Sequence, residues 1–226
     1  MKTKESLPTV PKTLGIGFLE METSCYAIPL YRDMADSLPY DILQFKIRRN
    51  IIDGRFKKVV FKIKTRIDVK PSSISGQNGP TIRLRVVDSF NNNNIYRVVI
   101  NEETFQTCYI NIEEYSKYNY DKMLGANPYQ FIYQYESWGD YLKRTYYITK
   151  PEIAIYDEPN GAVIFKNEGN PFLPFNVVDI DGDWIKLEKH FTYRQYFGNS
   201  VNYEGWTQWK EKEKILISIT ETAPII

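Results

Sequence analysis

The chain has 226 residues, with 29 Lys and Arg against 28 Asp and Glu, and its length allows one large domain or two smaller ones. It is rich in aromatic residues, with 18 Tyr, 12 Phe and 4 Trp, and these favour half-buried strands, so we expect a mainly all-β fold class. The longest apolar runs are far shorter than the roughly 20 residues that span a bilayer, which excludes transmembrane insertion. The near-neutral charge and the lack of a recognised nucleic-acid-binding motif argue against nucleic acid as a partner.

The N-terminal segment, residues 1–15, is polar and interrupted by proline. It lacks the apolar stretch of roughly 7 to 15 residues that a secretory signal needs. This predicts a cytoplasmic location, or the periplasm or cell envelope if a signal peptide has been removed. Cys25 and Cys108 leave two alternatives open: one disulfide in an oxidising compartment, or two buried thiols in the cytosol.

The N-terminal half shows several strand patterns in succession. Residues 15–22, 24–31 and 42–47 are predicted strands, and residues 56–70 alternate apolar with basic positions, which indicates a strand with one buried and one basic face. Gly, Pro, Ser and Asn predict a loop over residues 71–80. The alternation returns in residues 81–89, and four asparagines then form a turn before a strand at 95–100.

These strands suggest a basic face that could contact phosphates or another polyanion. Its members are Lys58, Lys62, Lys64, Arg66, Arg83 and Arg85. Two alternatives remain open. The face could be solvated and discourage edge-to-edge aggregation, or it could dock on the C-terminal half, where residues 101–226 hold 19 acidic against 12 basic residues.

Residues 114–148 form a tyrosine-rich segment that we predict to be a partly helical linker. Large side chains recur there at steps of three and four, at Phe131, Tyr135, Trp138, Leu142 and Tyr146. Asn127 and Pro128 would supply the N-cap and first helical position. The alternative is a repeated hairpin, because residues 127–143 align without gaps on 170–186 and share Asn-Pro, Gly-Asp and a final Lys.

The C-terminal third carries three short motifs in order. They are a strand with a following turn at Ile155, Tyr156 and Pro159, a hairpin at Gly182, Asp183 and Trp184, and a final Gly205 and Trp206. Together they resemble a bacterial SH3-like (SH3b) domain over residues 149–219. The sequence departs from the usual family pattern at Tyr156 and Asp157, where valine and arginine are more common, and in an insertion over residues 190–203.

A weaker resemblance extends to the N-terminal half. Residues 27–36 resemble 154–163, and residues 105–110 would serve as the closing strand. We therefore predict two small SH3-like barrels joined by the tyrosine-rich linker. The expected domains are residues 14–113, which contain an expanded basic hairpin, the linker at 114–148, and residues 149–219.

The resemblance implies a non-catalytic module that binds a peptide or a peptidoglycan-derived ligand at the bacterial cell envelope. The alternative is a cytoplasmic protein-interaction or toxin-neutralising immunity protein, which the polar N-terminus and the uneven charge favour. We expect no enzyme, because a cysteine nucleophile needs a histidine base and His190 is the single histidine. We also expect no cofactor and no metal: residues 179–183 lack the spacing of a calcium loop, and the cysteines and histidine form no ligand set.

An aromatic groove is the predicted ligand site, because such grooves bind extended peptides through large, rigid apolar surfaces. Its candidate residues are Tyr156, Trp184, Tyr193, Tyr196, Tyr203, Trp206 and Trp209. For Trp184 and Trp206 the alternative is that they fill the core of a small barrel. The tyrosines at 193, 196 and 203 lie in the polar insertion, and we expect them to be exposed.

Overall fold

A computed structural model describes residues 6–22, 27–52, 55–75, 81–122, 133–167, 172–198 and 203–223. Most of the regular structure consists of antiparallel strands with few helices, which confirms the predicted all-β class. The chain divides into two compact units, Met1–Glu136 and Ser137–Ile226. Of the helices in the described ranges, none has the length and apolar character that crossing a bilayer requires.

The described residues of the N-terminal unit form two sheets and one helix. Its elements are β1 (Gly17–Glu22), β2 (Ala27–Leu30), β3 (Asp41–Ile52), β4 (Arg55–Lys64), β5 (Ser73–Ser75), β6 (Thr81–Phe90), β7 (Ile95–Asn101), β8 (Gln106–Asn111), α1 (Ile112–Lys122) and β9 (Tyr133–Ser137). One sheet has the order β8-β7-β6-β1-β9, and β5 also pairs with β6. The other sheet has the order β2-β3-β4.

The core of this unit follows from the alternation in β6. Ile82, Leu84 and Val86 are fully buried, whereas the arginines between them are only partly buried. Across the sheet, Leu19 of β1 lies opposite Leu84 and is itself fully buried. Each such side chain contributes about 1.5–3 kcal/mol through burial, so the period-two pattern in the sequence selects which face of the sheet forms the core.

A buried carboxylate holds the base of the β3–β4 hairpin. Asp41 accepts hydrogen bonds from the Thr65 hydroxyl at 2.6 Å, the Arg66 backbone N–H at 2.8 Å and the Ile42 backbone N–H at 2.9 Å. Burial alone would raise the pKa of Asp41, but these hydrogen bonds outweigh it and hold the pKa below its ordinary value. The charged form of Asp41 therefore stabilises the end of β4.

Part of the predicted loop over residues 71–80 is a strand instead. Ser73–Ser75 forms β5 and pairs with residues 81–83 of β6. The pairing between β6 and β7 begins only at Arg85, so residues 81–83 would otherwise present an open edge on that side. β5 covers this edge and satisfies its backbone hydrogen-bonding groups. The composition of residues 71–80 does not predict this pairing. Residues 76–80 lie outside the described residues.

The tyrosine-rich segment is divided between the two units instead of forming one continuous helix. α1 packs against β2 and β8, and β9 pairs with β1. The ring of Tyr135 stacks on Tyr96 at a centroid distance of 5.4 Å, and its hydroxyl donates to the Ile16 carbonyl. Tertiary pairing thus makes a strand where side-chain spacing predicted a helix. Asn127 and Pro128 lie outside the described residues.

Within the ranges that the structure describes, the C-terminal unit has one main sheet, a short two-stranded ribbon and two helices. Its elements are α2 (Trp138–Arg144), β10 (Tyr147–Thr149), β11 (Ala154–Tyr156), β12 (Val163–Lys166), β13 (Phe175–Asp181), β14 (Trp184–Lys189), a 3₁₀ helix (Phe191–Tyr196), β15 (Gly205–Gln208), β16 (Lys210–Glu211), β17 (Lys214–Ile215) and β18 (Ser218–Thr220). The main sheet has the order β12-β11-β15-β14-β13-β10-β18, and β16 pairs with β17.

The three segments that carry the SH3-like resemblance meet in this sheet. β15 pairs with both β14 and β11, and β13 pairs with β14 through a tight turn at Gly182. Gly182 has φ +54°, a conformation that glycine adopts without a steric penalty. Helix α2 packs on β13, and the Ser137 hydroxyl caps it by accepting the Asp140 backbone N–H at 3.1 Å.

Candidate functional site

Three of the predicted groove residues lie side by side on one face of the C-terminal sheet. Tyr156 of β11 is directly opposite Trp206 of β15, and Trp206 is opposite Lys186 of β14. Trp184 lies two positions before Lys186 and therefore on the same face. We call Tyr156, Trp184 and Trp206 the aromatic triad.

The triad occupies the outer face of the sheet and not the core. The residues that alternate with it, Ile155, Ile185 and Leu187, are buried to 0–1% exposure, whereas all three triad residues are half-buried. The rings of Tyr156 and Trp184 meet edge to face, with centroids 5.1 Å apart. Of the two alternatives for Trp184 and Trp206, the structure places both on the solvent side of the sheet.

The surroundings of the triad combine apolar and charged side chains. Val163 of β12 lies opposite Tyr156 and is 43% exposed. Along β13, Asp179 is opposite Lys186 and Asp181 is opposite Trp184, and both carboxylates are exposed. The triad is therefore flanked by an apolar edge on the β12 side and by carboxylates on the β13 side. Val163 was not predicted from the sequence.

Two other predicted groove residues belong to the core of the unit. Trp209 is only 2% exposed and donates its indole N–H to the Gly182 carbonyl at 3.1 Å. Its ring is tilted against that of Trp138, with centroids 5.3 Å apart. Tyr203 is 9% exposed and contacts the rings of Phe165 and Phe197. The expectation that Tyr203 is exposed is wrong, because these two rings enclose it.

Tyr193 and Tyr196 belong to a second group of rings around the 3₁₀ helix. Its members are Tyr146, Tyr147, Phe172, His190, Phe191, Tyr193 and Tyr196. Tyr193 lies at its centre, 5.5 Å from Phe172 and 5.6 Å from Tyr147, and burial and a hydrogen bond with Tyr146 raise its pKa. Tyr196 and Phe191 are exposed. The spacing of the tyrosines before residue 148 predicted a helix, so this cluster was not predicted from the sequence.

The imidazole of His190 forms hydrogen bonds with two backbone groups. Its Nδ1 accepts the Thr192 backbone N–H at 3.3 Å, and the imidazole also hydrogen-bonds to the backbone of Tyr146. Burial lowers the pKa of His190, although the bond to Tyr146 acts in the opposite direction. The neutral imidazole therefore serves as a cap for the 3₁₀ helix.

The predicted basic face does not form one continuous cationic surface among its described members. Arg83 pairs with Glu20 at 2.5 Å and Arg85 pairs with Glu102 at 3.1 Å. Both guanidinium groups also lie within 6 Å of the Phe18 ring centroid, at 5.5 and 5.8 Å. Arg66 pairs with Asp41, and Lys64 is exposed. The side chains of Lys58 and Lys62 lie outside the described residues.

The cysteines and carboxylates give no further site within the described ranges. Cys108 is a fully buried thiol whose pKa burial raises, and Cys25 lies outside those ranges. The part of the chain that the structure describes holds no group of three or more His, Cys, Asp or Glu side chains suited to a metal ion. Gly182 and Asp183 form the turn of the β13–β14 hairpin.

Comparison of the chain with protein-family models, with curated proteins and with solved structures finds no match.

Proposed function

We propose that the C-terminal unit is a non-catalytic binding module that recognises an extended peptide, with a peptidoglycan-derived peptide at the bacterial cell envelope as its ligand. The observation that carries this proposal is the aromatic triad, which three neighbouring strands present on the outer face of the sheet. The SH3-like motifs support it, because the segments that carry the resemblance are paired with one another in that sheet.

The triad offers the kind of surface that binds extended chains. Neighbouring strands lie about 4.8 Å apart, so a peptide that crosses β11, β15 and β14 meets one large ring on each strand. Tyr and Trp freeze few rotamers on binding and keep a polar group at the edge of the contact. Half-buried rings are already held by their neighbours, which lowers the entropic cost of binding.

Charge around the triad narrows the kind of peptide. Asp181 is exposed on the same face, next to Trp184. Asp179 is also exposed there but pairs with Lys143 at 3.5 Å. Residues 101–226 carry an excess of acidic side chains. Carboxylates at the rim of an apolar contact favour a ligand with a cationic group beside small apolar residues. A peptide that carries a free amino group meets this requirement.

The engagement of His190 supports a non-catalytic role. A general base must reach the proton it abstracts, and in this unit the imidazole is buried and hydrogen-bonded to the Thr192 and Tyr146 backbones.

Binding of the full chain to purified peptidoglycan by sedimentation, and to soluble muropeptides by calorimetry, tests the proposal. Trp206→Ala should weaken binding at least about tenfold, because a central aromatic contact is typically worth 2 kcal/mol or more. Phe191→Ala removes a 67% exposed ring from the same unit and is the matched control, with binding expected to be unchanged. Thermal unfolding of each variant by circular dichroism separates loss of contact from loss of fold.

Two results would overturn the proposal. If the wild-type chain neither sediments with peptidoglycan nor gives heat with muropeptides, the ligand is wrong, and a protein partner in the cytoplasm, as for an immunity protein, takes its place. Cell fractionation with sequencing of the mature N-terminus distinguishes these two locations. If Phe191→Ala weakens binding and Trp206→Ala does not, the contact surface is the ring cluster around Tyr193 and not the triad.

A further inference from the structure

A cavity of about 300 Å³ lies in the N-terminal unit, where the end of β2 meets β7, β8 and α1. Its size is at the lower end of the range for small-molecule sites, which is roughly 300–1,000 Å³, so it suits a ligand of the size of one amino acid. The lining residues that matter here are Tyr31, Met34, Asp36, Tyr109, Glu114 and Lys117. None of them belongs to the C-terminal unit.

Two tyrosines form one wall of the cavity. The backbone N–H of Tyr31 donates to the Tyr109 carbonyl at 2.9 Å, and that of Tyr109 donates to the Tyr31 carbonyl at 2.8 Å. A pair that exchanges both hydrogen bonds carries its side chains on the same face of the sheet. Tyr31 is 7% exposed and Tyr109 is half-buried, and both line this wall of the cavity.

Helix α1 contributes charges of both signs. Glu114 and Lys117 are three residues apart and therefore lie on the same side of the helix. Asn111 fixes the start of α1 by accepting the backbone N–H groups of Glu113 and Glu114 at 3.0 and 3.3 Å. The charge of Glu114 acts at the tyrosine wall, because together with burial it raises the pKa of Tyr31.

A second carboxylate comes from the segment after β2. Asp36 Oδ2 accepts the Asp33 backbone N–H at 2.9 Å, and Asp33 Oδ1 accepts the Ala35 backbone N–H at 3.0 Å. This pair of local bonds holds the turn in one conformation. Met34 in the same turn is 53% exposed and lines the cavity. The lining thus offers two carboxylates, one ammonium group, two phenol rings and an exposed thioether chain.

We propose that this cavity binds a small zwitterionic α-amino acid with an aliphatic side chain. The ligand ammonium group lies between Asp36 and Glu114 and beside the Tyr31 ring, where both Coulomb attraction and the ring quadrupole favour a cation. The Tyr109 ring already has the Arg97 guanidinium 6.0 Å from its centroid, so Tyr109 contributes to the wall and not to the cation site. The ligand carboxylate pairs with Lys117. The aliphatic part contacts Met34, whose flexible chain adapts to apolar shapes. The cavity belongs to the N-terminal unit, so its ligand is independent of the function proposed for the C-terminal unit.

Three probes that differ in one group at a time test the proposal on the full chain: leucine, 3-methylbutylamine, which lacks the carboxylate, and 4-methylpentanoate, which lacks the amine. Titrations followed by calorimetry and by the NMR signals of Tyr31 and Tyr109 should show leucine binding most tightly, the amine more weakly and the acid not at all. Glu114→Gln should weaken leucine and the amine at least about tenfold, since bonds to charged groups are the stronger ones.

Lys117→Met distinguishes the zwitterion from a simple cation. It should weaken leucine binding but leave the amine unchanged or tighten it, because a positive charge has been removed from the lining. Glu113→Gln is the matched control: Glu113 is exposed on the same helix, next to Glu114, and its carboxylate accepts from Asn94. The proposal is overturned if leucine leaves the two tyrosine signals unshifted at millimolar concentration, if the acid binds as well as leucine, or if the 113 and 114 variants lose affinity equally.

Discussion

Replacing Gly205 by alanine tests how closely β15 approaches β11. Gly205 has φ +152°, a backbone conformation that residues with a side chain rarely adopt. A Cβ atom added there would lie 2.5 Å from the Tyr156 carbonyl oxygen and 2.8 Å from Ile155 Cγ2. The carbonyl belongs to the backbone of a paired strand, so it cannot move without disturbing the pairing of Tyr156 with Trp206. Strain of about 1–3 kcal/mol and overpacking of about 1–3 kcal/mol together predict a loss of about 2–6 kcal/mol in the free energy of unfolding.

Gly182→Ala provides the matched control in the same sheet. Gly182 also has a positive φ, +54°, but an added Cβ would meet nothing within 4 Å. Only the conformational penalty remains, which is about 1–2 kcal/mol for an L-residue in this region. The difference between the two variants therefore isolates the close approach of the strands from the backbone conformation.

Urea unfolding followed by tryptophan fluorescence measures both variants. All four tryptophans, at positions 138, 184, 206 and 209, lie in the C-terminal unit, so this signal reports on that unit alone. The midpoint should fall substantially further for Gly205→Ala than for Gly182→Ala, with similar m-values. Equal losses for the two variants would falsify the argument that β11 leaves no room for a side chain at position 205.

Two further predictions concern protonation. Burial lowers the pKa of His190, so near the ordinary histidine pKa of 6.5 the unfolded state binds more protons than the folded state, and the C-terminal unit should lose stability as the pH falls through this value. His190→Gln should flatten this pH dependence in urea titrations between about pH 5 and 8. A stability of the wild-type chain that rises on acidification would contradict the burial of His190. Asp41→Asn should destabilise the N-terminal unit by about 1.5–3 kcal/mol, which would be measured as faster amide exchange in β3 and β4. Hydrogen bonds outweigh burial and lower the pKa of Asp41, so the wild-type chain should keep this stabilisation above pH 3.8 and lose it as the pH falls further. Unchanged amide exchange in the variant would count against the role of this carboxylate.

Composition alone could identify the aromatic residues as important but could not divide them between surface and core. Trp184 and Trp209 are the same residue type near the same hairpin, yet Trp184 lies on the outer face and Trp209 is buried. The difference comes from two tertiary contacts of Trp209. Its indole donates a hydrogen bond to the Gly182 carbonyl, 27 residues away, and its ring packs against that of Trp138 in α2. The residue type determines how much apolar area a ring can bury, whereas its tertiary contacts determine whether the ring lies on the surface or in the core.

The sequence by itself determined most of the strands, because alternating polarity is a local property that requires only that one face be buried. It also located the Gly182 turn, where the backbone conformation requires glycine. Tertiary structure alone decided the pairings that join distant segments. One example is β9, a strand that forms where the side-chain spacing predicted a helix. Another is the ion pair of Arg83 with Glu20, 63 residues away. Such contacts depend on which surfaces meet after the chain has collapsed, and no local pattern carries that information.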